Sequence, residues 1–359
     1  MNIIIGLLTP LVTIAMITLL HYILPGRWVT GYVNDDKTGQ PLRYHLNGLL
    51  VLIASVIIWY GLGYFGIVDF TWLYQHRWWS LVGALILGLA YSLVMTLSYP
   101  KVTPSFLKDY YFGRSKNPQF KGGRIDHKMW LYLVGAVLLV LHVISFVTQH
   151  IIMYGSSINP GILLSAVLLI WFAVDYLIFE HVHLYTYDIF AERVGFKLGW
   201  GCLFFYPYFY SIALWSTVDR PNPDMTSWQL ALSAIVFFAG WIMARGANMQ
   251  KFYFKTNPEK SFLGIRPIAL TDGKKRILAS GFWGVSRHIN YLGEICMGLG
   301  IASAVGHYDL IWPWLYPLYY ILLLVPRQLD DDKRCLLKYG PLWEEYQEKV
   351  RHKIIPGIY

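Results

Sequence analysis

The chain has 359 residues, of which 56% are hydrophobic and 14% charged, with a formal net charge of +9. A soluble domain carries about 25% charged residues, so this composition, with a mean hydropathy of +0.42, argues against one. Apolar runs near 20 residues are long enough to cross a hydrocarbon core of about 30 Å as helices, and their lack of a period of two argues against a β-barrel.

In chain order the runs predict spans at 2–24, 47–68, 78–99, 129–150, 160–185, 196–217, 228–246, 290–306 and 309–326. The expected fold is all-α, a polytopic integral membrane bundle of about 9–10 transmembrane helices, because helices satisfy the backbone inside a bilayer. The first run is too long, and lacks the basic start, for a cleaved signal peptide, so it reads as a span. Arg27, Lys37 and Arg43 follow the first span, and Arg77 alone follows the second. A dense basic stretch from Lys101 to Lys128 follows the third, and the connection at 150–160 has no Lys or Arg. A second dense stretch runs from Lys251 to Arg287, and a third from Arg327 to Lys353. This alternation predicts an outside N-terminus and a cytoplasmic C-terminus, in the inner membrane of a bacterium or the endoplasmic reticulum of a eukaryote. Orientation and attraction to anionic membrane lipid account for the positive charge; nucleic acid is not an expected partner. Cys202, Cys296 and Cys335 have no paired spacing and suggest neither a disulfide framework nor a zinc site.

Ionisable groups inside spans are costly and are functional candidates. The fifth expected span ends in DYLIFEHVHLYTYD, residues 175–188. On a continuous helix His181, Tyr185 and Asp188 would share one face, and Glu180, His183 and Tyr187 a neighbouring stripe. The pattern HVH puts its two rings on different faces, and no metal is expected. A second polar zone joins ARGANMQKFYFKTNP (244–258), TDGKKR, GFWGVSRHINYLGE (281–294) and the tail from Pro326. There Lys251 and Lys255, and again Arg327 and Asp331, stand one helical turn apart. Arg and Lys with Trp and Tyr suit a phosphate-rich cofactor with a flat ring. They equally suit a skirt of snorkelling cations and interfacial aromatics. No GxGxxG follows a strand, so a Rossmann module is not the binder.

These segments resemble the sterol reductase family, which comprises the C-14, C-7 and C-24 reductases and the reductase half of lamin B receptor. The family tail has Arg327, Asp331, Cys335, Lys338, Tyr339, Gly340, Trp343 and Tyr346 in register here, with Pro326 in place of a His and Asp330 in place of an Arg. Ser280, Gly281, Trp283, Gly284, Arg287, His288, Asn290 and Tyr291 match a second motif, and RGANMQK (245–251) a third. Asp175, Phe179, Glu180 and Asp188 keep the family spacing, and GRSKNP (113–118) is a weakened form of another family string. The resemblance covers roughly residues 110–359. It implies N-terminal helices in 1–100 and a reductase core in 101–359, with a cytosol-facing NADPH pocket in 245–359 and a sterol drawn from the bilayer. Carried over residue by residue, the cofactor contacts are Lys251, Lys255, Arg327, Asp331 and Tyr346, joined by Trp283, Arg287, Asn290 and Tyr291.

The implied reaction is NADPH-dependent reduction of a sterol carbon–carbon double bond. An isolated alkene is not electrophilic, so a proton must arrive first and hydride then quenches the cation. A carboxyl in an apolar slot has its pKa raised and suits the acid. Glu180, Asp188, Tyr185, Tyr187 and Glu192 are the candidates for proton supply. SRHINY and IIPGIY look most like the C-24 reductases, while GFWGVSRH and LGWG (198–201) are similar to C-7 reductases; C-14 remains the further alternative. Outside this chemistry stand an S-adenosylmethionine-dependent membrane methyltransferase and a non-catalytic sterol-binding protein.

Overall fold

The computed structural model describes residues 2–36 and 38–359; Lys37 of the first basic loop lies outside the described residues. The chain divides into two compact units, Met1–Asn222 and Pro223–Tyr359. It is mostly helical. Among the described residues five helices are long and apolar enough to cross a membrane: Ile3–Ile23, Arg77–Leu97, His127–Ser157, Pro160–Ile178 and Ser227–Thr256. This is the architecture of a multi-pass membrane protein.

The other expected spans differ in length or continuity. The second becomes the 17-residue apolar helix Gly48–Tyr64. The last two become Ile289–Ala304 and Leu315–Tyr339, the latter running well past the expected end at 326. The expected span 196–217 is a broken series: Phe196–Trp200, a π-helical turn Gly201–Phe205, Tyr206–Phe209 and Ile212–Thr217. Pro207 lacks an N–H to donate into the preceding turn, and the glycines at 195, 199 and 201 weaken the helix before it.

In the first unit the His127–Tyr154 helix is the most deeply buried element. Asp126 caps its start, its carboxylate accepting the Lys128 and Met129 N–H groups at 3.1 Å. Among the described residues three short antiparallel hairpins interrupt the helical chain. The first pairs Arg27–Asn34 with Pro41–Leu46. Its inward residues Leu42, Tyr44 and Leu46 pack on Met129, Leu184 and Ile189, so the hairpin covers the segment just after the fifth span.

In the second unit Ser227–Thr256 lies against Ile289–Ala304 through glycine. A Cβ at Gly240 would sit 2.5 Å from the Gly293 carbonyl oxygen, so only glycine permits this approach. Beyond Leu315–Tyr339 the chain turns at Gly340 into Pro341–Lys349. Leu342, Trp343, Tyr346 and Val350 form a small core with Ile277 and Ala279.

Candidate functional site

The five proton-supply candidates lie in the first unit. The Pro160–Ile178 helix ends before Glu180, and the chain continues as two single turns, Glu180–His183 and Tyr187–Phe190. The expectation of one continuous helix over 160–185 is therefore corrected. The faces that would have grouped His181 with Tyr185 and Asp188, and Glu180 with His183 and Tyr187, do not form.

Glu180 is 6% exposed. Its Oε2 accepts the Gly48 N–H at 3.0 Å. Asn47, the residue before that helix, directs its side chain instead to His21 and Leu24, so Glu180 satisfies a helix start from a distant part of the sequence. Burial pushes its carboxyl up to about 7, against the pull of the Gly48 N–H and the Arg27 charge. Glu192 is buried, and its Oε1 accepts from Lys197 Nζ at 2.5 Å. Asp188 is half-buried, with its charge within reach of the Lys128 ammonium. Tyr185 packs beside Tyr32 at 5.6 Å between ring centroids, and burial raises its hydroxyl. Tyr187 packs edge-on to Phe190.

The nine cofactor candidates lie in the second unit. Lys251 and Lys255 stand one turn apart near the end of Ser227–Thr256, as their spacing requires. The RGANMQK and GFWG strings hold each other. Gln250 Oε1 accepts the Phe282 N–H at 3.0 Å, and Trp283 Nε1 donates to the Ala247 carbonyl at 2.8 Å. Tyr346, 2% exposed, donates its hydroxyl to the Trp283 carbonyl at 2.7 Å. Trp283 is thus fixed from two sides, with Lys251 Nζ 5.1 Å from its ring centroid.

Arg327 and Asp331 are one turn apart on Leu315–Tyr339. Cys335 stands one turn later. Burial pushes its thiol up to about 12, the Asp331 charge adds to this, and Lys251 and Lys338 oppose it. The structure therefore gathers Lys251, Asp331, Cys335 and Lys338 into one electrostatic neighbourhood.

Arg287 is committed mainly to its own chain. Its N–H donates to His352 O at 3.0 Å, its NH1 to Val350 O at 2.9 Å, and the His288 N–H to Lys353 O at 2.8 Å. These bonds dock residues 286–288 on the C-terminal segment. The charge partner of Arg287 is Asp332, 3.6 Å away, which sequence reasoning passed over in favour of Asp331. Gln328 Nε2 also donates to Asp332, and Tyr359 donates to Gln328 Oε1 at 3.2 Å. Burial raises the Asp332 carboxyl, but His288 and Arg287 outweigh it and hold the group below its ordinary value. The signal was available: Gln328 and Asp332 share a helix face at i and i+4. Tyr291 is buried and stacks on His288 with ring centroids 4.9 Å apart.

Among the described residues, Arg287 Nε and Asn290 Oδ1 are buried polar atoms with no hydrogen-bond partner. Lys251 and the anchored indole form a pair suited to an anionic ligand that also carries a planar ring.

The family described as ergosterol biosynthesis ERG4/ERG24 matches residues 9–359. The chain is similar to the Delta(14)-sterol reductase of Arabidopsis thaliana, 32% identical over 94% of this chain and 91% of that one. It is similar to Delta(14)-sterol reductase erg24 of Schizosaccharomyces pombe, 31% identical over 99% and 85%. It is also similar to the 7-dehydrocholesterol reductase of Xenopus laevis, 30% identical over 95% and 76%. The match starts at residue 9, so it takes in most of the first hundred residues, beyond the reach of the motifs that begin near residue 110.

Proposed function

This chain belongs to the ergosterol biosynthesis ERG4/ERG24 family and is a sterol reductase, an oxidoreductase acting on carbon–carbon double bonds, and from that premise we propose that it reduces the C-14 double bond of a membrane sterol with NADPH. The C-14 position rests on the names of the Arabidopsis thaliana and Schizosaccharomyces pombe relatives. It replaces the C-24 bond as first choice, because the relatives reported above are named for C-14 and C-7. The methyltransferase alternative falls with the family match, and binding of cofactor without turnover would single out a non-catalytic member.

The observation that carries the cofactor assignment is the fixed Trp283 indole beside Lys251. Lys251 and Lys255, with Arg327, would hold the phosphates. Trp283 would offer a flat face to a ring, and the Asn290 side chain, whose Oδ1 has no partner among the described residues, would add a polar contact. Bound NADPH would supply the hydride. The basic segments around this zone support a cytosol-facing second unit.

The chain's own contribution to the chemistry is the proton. Among the candidates Glu180 is the carboxyl whose surroundings favour the protonated form near neutral pH. Glu192, paired with Lys197, is a poor donor. Protonation of the alkene at C-15 leaves a tertiary cation at C-14, and hydride delivery there completes the saturation. Asp188 would steady the cation.

Incubating the purified protein with NADPH and sterols unsaturated at C-14, C-7 or C-24, with products read by mass spectrometry, tests the reading. Saturation at C-14 is expected. Saturation at C-24 alone would instead favour the second reading, which the SRHINY and IIPGIY strings support.

A further inference from the structure

Lys128 is an ammonium in the interior of the first unit, 1% exposed. All three of its protons have acceptors: Ile189 O at 2.6 Å, Glu192 O at 2.7 Å and Asn117 Oδ1 at 3.2 Å. Two of these are main-chain carbonyls of the short segment just after Asp188. The third is the side chain of GRSKNP, the string that resembles a family motif only in weakened form. That string is itself locked to the far end of the same segment. The Val194 N–H donates to Ser115 O at 2.9 Å, and a Cβ on Gly195 would fall 2.2 Å from the Gly113 nitrogen. The charged groups facing the ammonium are Asp126, Asp188, Glu192 and Lys116.

A buried cation spending its hydrogen bonds on carbonyls is a costly way to brace a loop, since a well-packed apolar side chain often serves stability as well. What an apolar residue cannot do is hold three oxygens at fixed positions and place a positive charge beside Asp188. From this geometry we infer that Lys128 is a positioning residue for sterol reduction: it fixes residues 187–192 and with them the place of Asp188. The inference rests on the proposed role of Asp188, and it works through that carboxylate without touching substrate.

The test is a double-mutant cycle on the full chain in detergent, using Lys128→Met, Asp188→Asn and the pair. Turnover is measured over a range of sterol concentrations to separate kcat from KM, and NADPH affinity is read from the cofactor's own fluorescence. Lys128→Met should lower kcat by up to about 100-fold, as a small displacement of a reacting group can. NADPH affinity and the sterol KM should stay unchanged, because the loss lies in the placing of Asp188 and not in binding. The pair should be no slower than Asp188→Asn alone, the mark of two residues acting as one unit. Additive losses, or a folded Lys128→Met enzyme with a wild-type kcat, overturn the inference. Should Lys128→Met not fold, Asn117→Ala takes its place in the cycle, with a smaller loss and the same non-additivity expected. Full turnover by Asp188→Asn would instead sink the Asp188 role itself, an outcome distinct from wild-type behaviour of Lys128→Met with Asp188→Asn inactive.

Discussion

Glu180 and Gly48 meet across 132 positions of sequence: the Gly48 N–H donates to Glu180 Oε2 at 3.0 Å, and a Cβ on residue 48 would fall 2.5 Å from Oε1. The helix start offers a positive end to the carboxylate, while burial works against ionisation. Burial is the larger effect and raises the carboxyl to about 7, which leaves the group able to take and give a proton near neutrality. Gly48→Ala should therefore displace the carboxyl. Overpacking of this kind costs about 1–3 kcal/mol, read as a lower Tm, and turnover should fall further than stability does. An alanine variant with full turnover would separate Glu180 from the chemistry.

The same carboxyl sets a pH dependence. Its ordinary value is 4.5 and the folded chain raises it to about 7. The folded state therefore holds the proton over a range where the unfolded chain has released it, so stability falls as pH rises from 4.5 to about 7 and then levels off. As a proton donor Glu180 must be protonated, so turnover should decline above about pH 7. Glu180→Gln should flatten that part of the stability profile and remove turnover. A Gln variant that still reduces sterol would transfer the acid role elsewhere.

How legible these places were in the sequence depended on how local their physics is. Lys251 with Lys255, and Arg327 with Asp331, could be paired from spacing because each pair sits on a long unbroken helix. Glu180 and Asp188 could be picked out as costly charges beside an apolar run, but not arranged. The helix stops at Ile178, and the turns beyond it are shaped by Gly48 and by a hairpin more than a hundred residues away. That hairpin was legible only in part: Leu42, Tyr44 and Leu46 alternate with Arg43 and His45, but the residues that bury them, Met129, Leu184 and Ile189, come from distant segments. Asp332 was lost beside Asp331 because a run of three aspartates does not say which one turns inward.

Trp283 carries a prediction about the cofactor. Its indole is held by the Ala247 carbonyl and its main chain by Tyr346, while Lys251 lies 5.1 Å from its ring centroid. Lys251→Met keeps the stem and removes the charge. A hydrogen bond to a charged group contributes roughly 1.5–3 kcal/mol, so NADPH binding should weaken by about tenfold to a hundredfold. Titration of cofactor fluorescence checks this without reference to turnover. Unchanged affinity would remove Lys251 from the phosphate site.

The two arginines of the second unit should behave differently, although the family resemblance assigns both to the cofactor. Arg287 is 5% exposed, bonds Val350 O and faces Asp332. Arg287→Ala leaves Asp332 without its main counter-charge and frees the docked C-terminal segment, and breaking a buried pair in this way costs about 3–5 kcal/mol. A large fall in Tm is expected, with proteolysis beginning near residue 350. Arg287→Lys should recover little of this, because a lysine cannot span the carbonyls and the carboxylate with one fork. Arg327 is half-buried on the exposed end of Leu315–Tyr339. Arg327→Ala should keep its Tm and lose NADPH affinity and sterol reduction. Equal Tm losses in the two alanine variants would contradict this division, since a residue held for the ligand and one held for the fold should not register alike in the absence of cofactor.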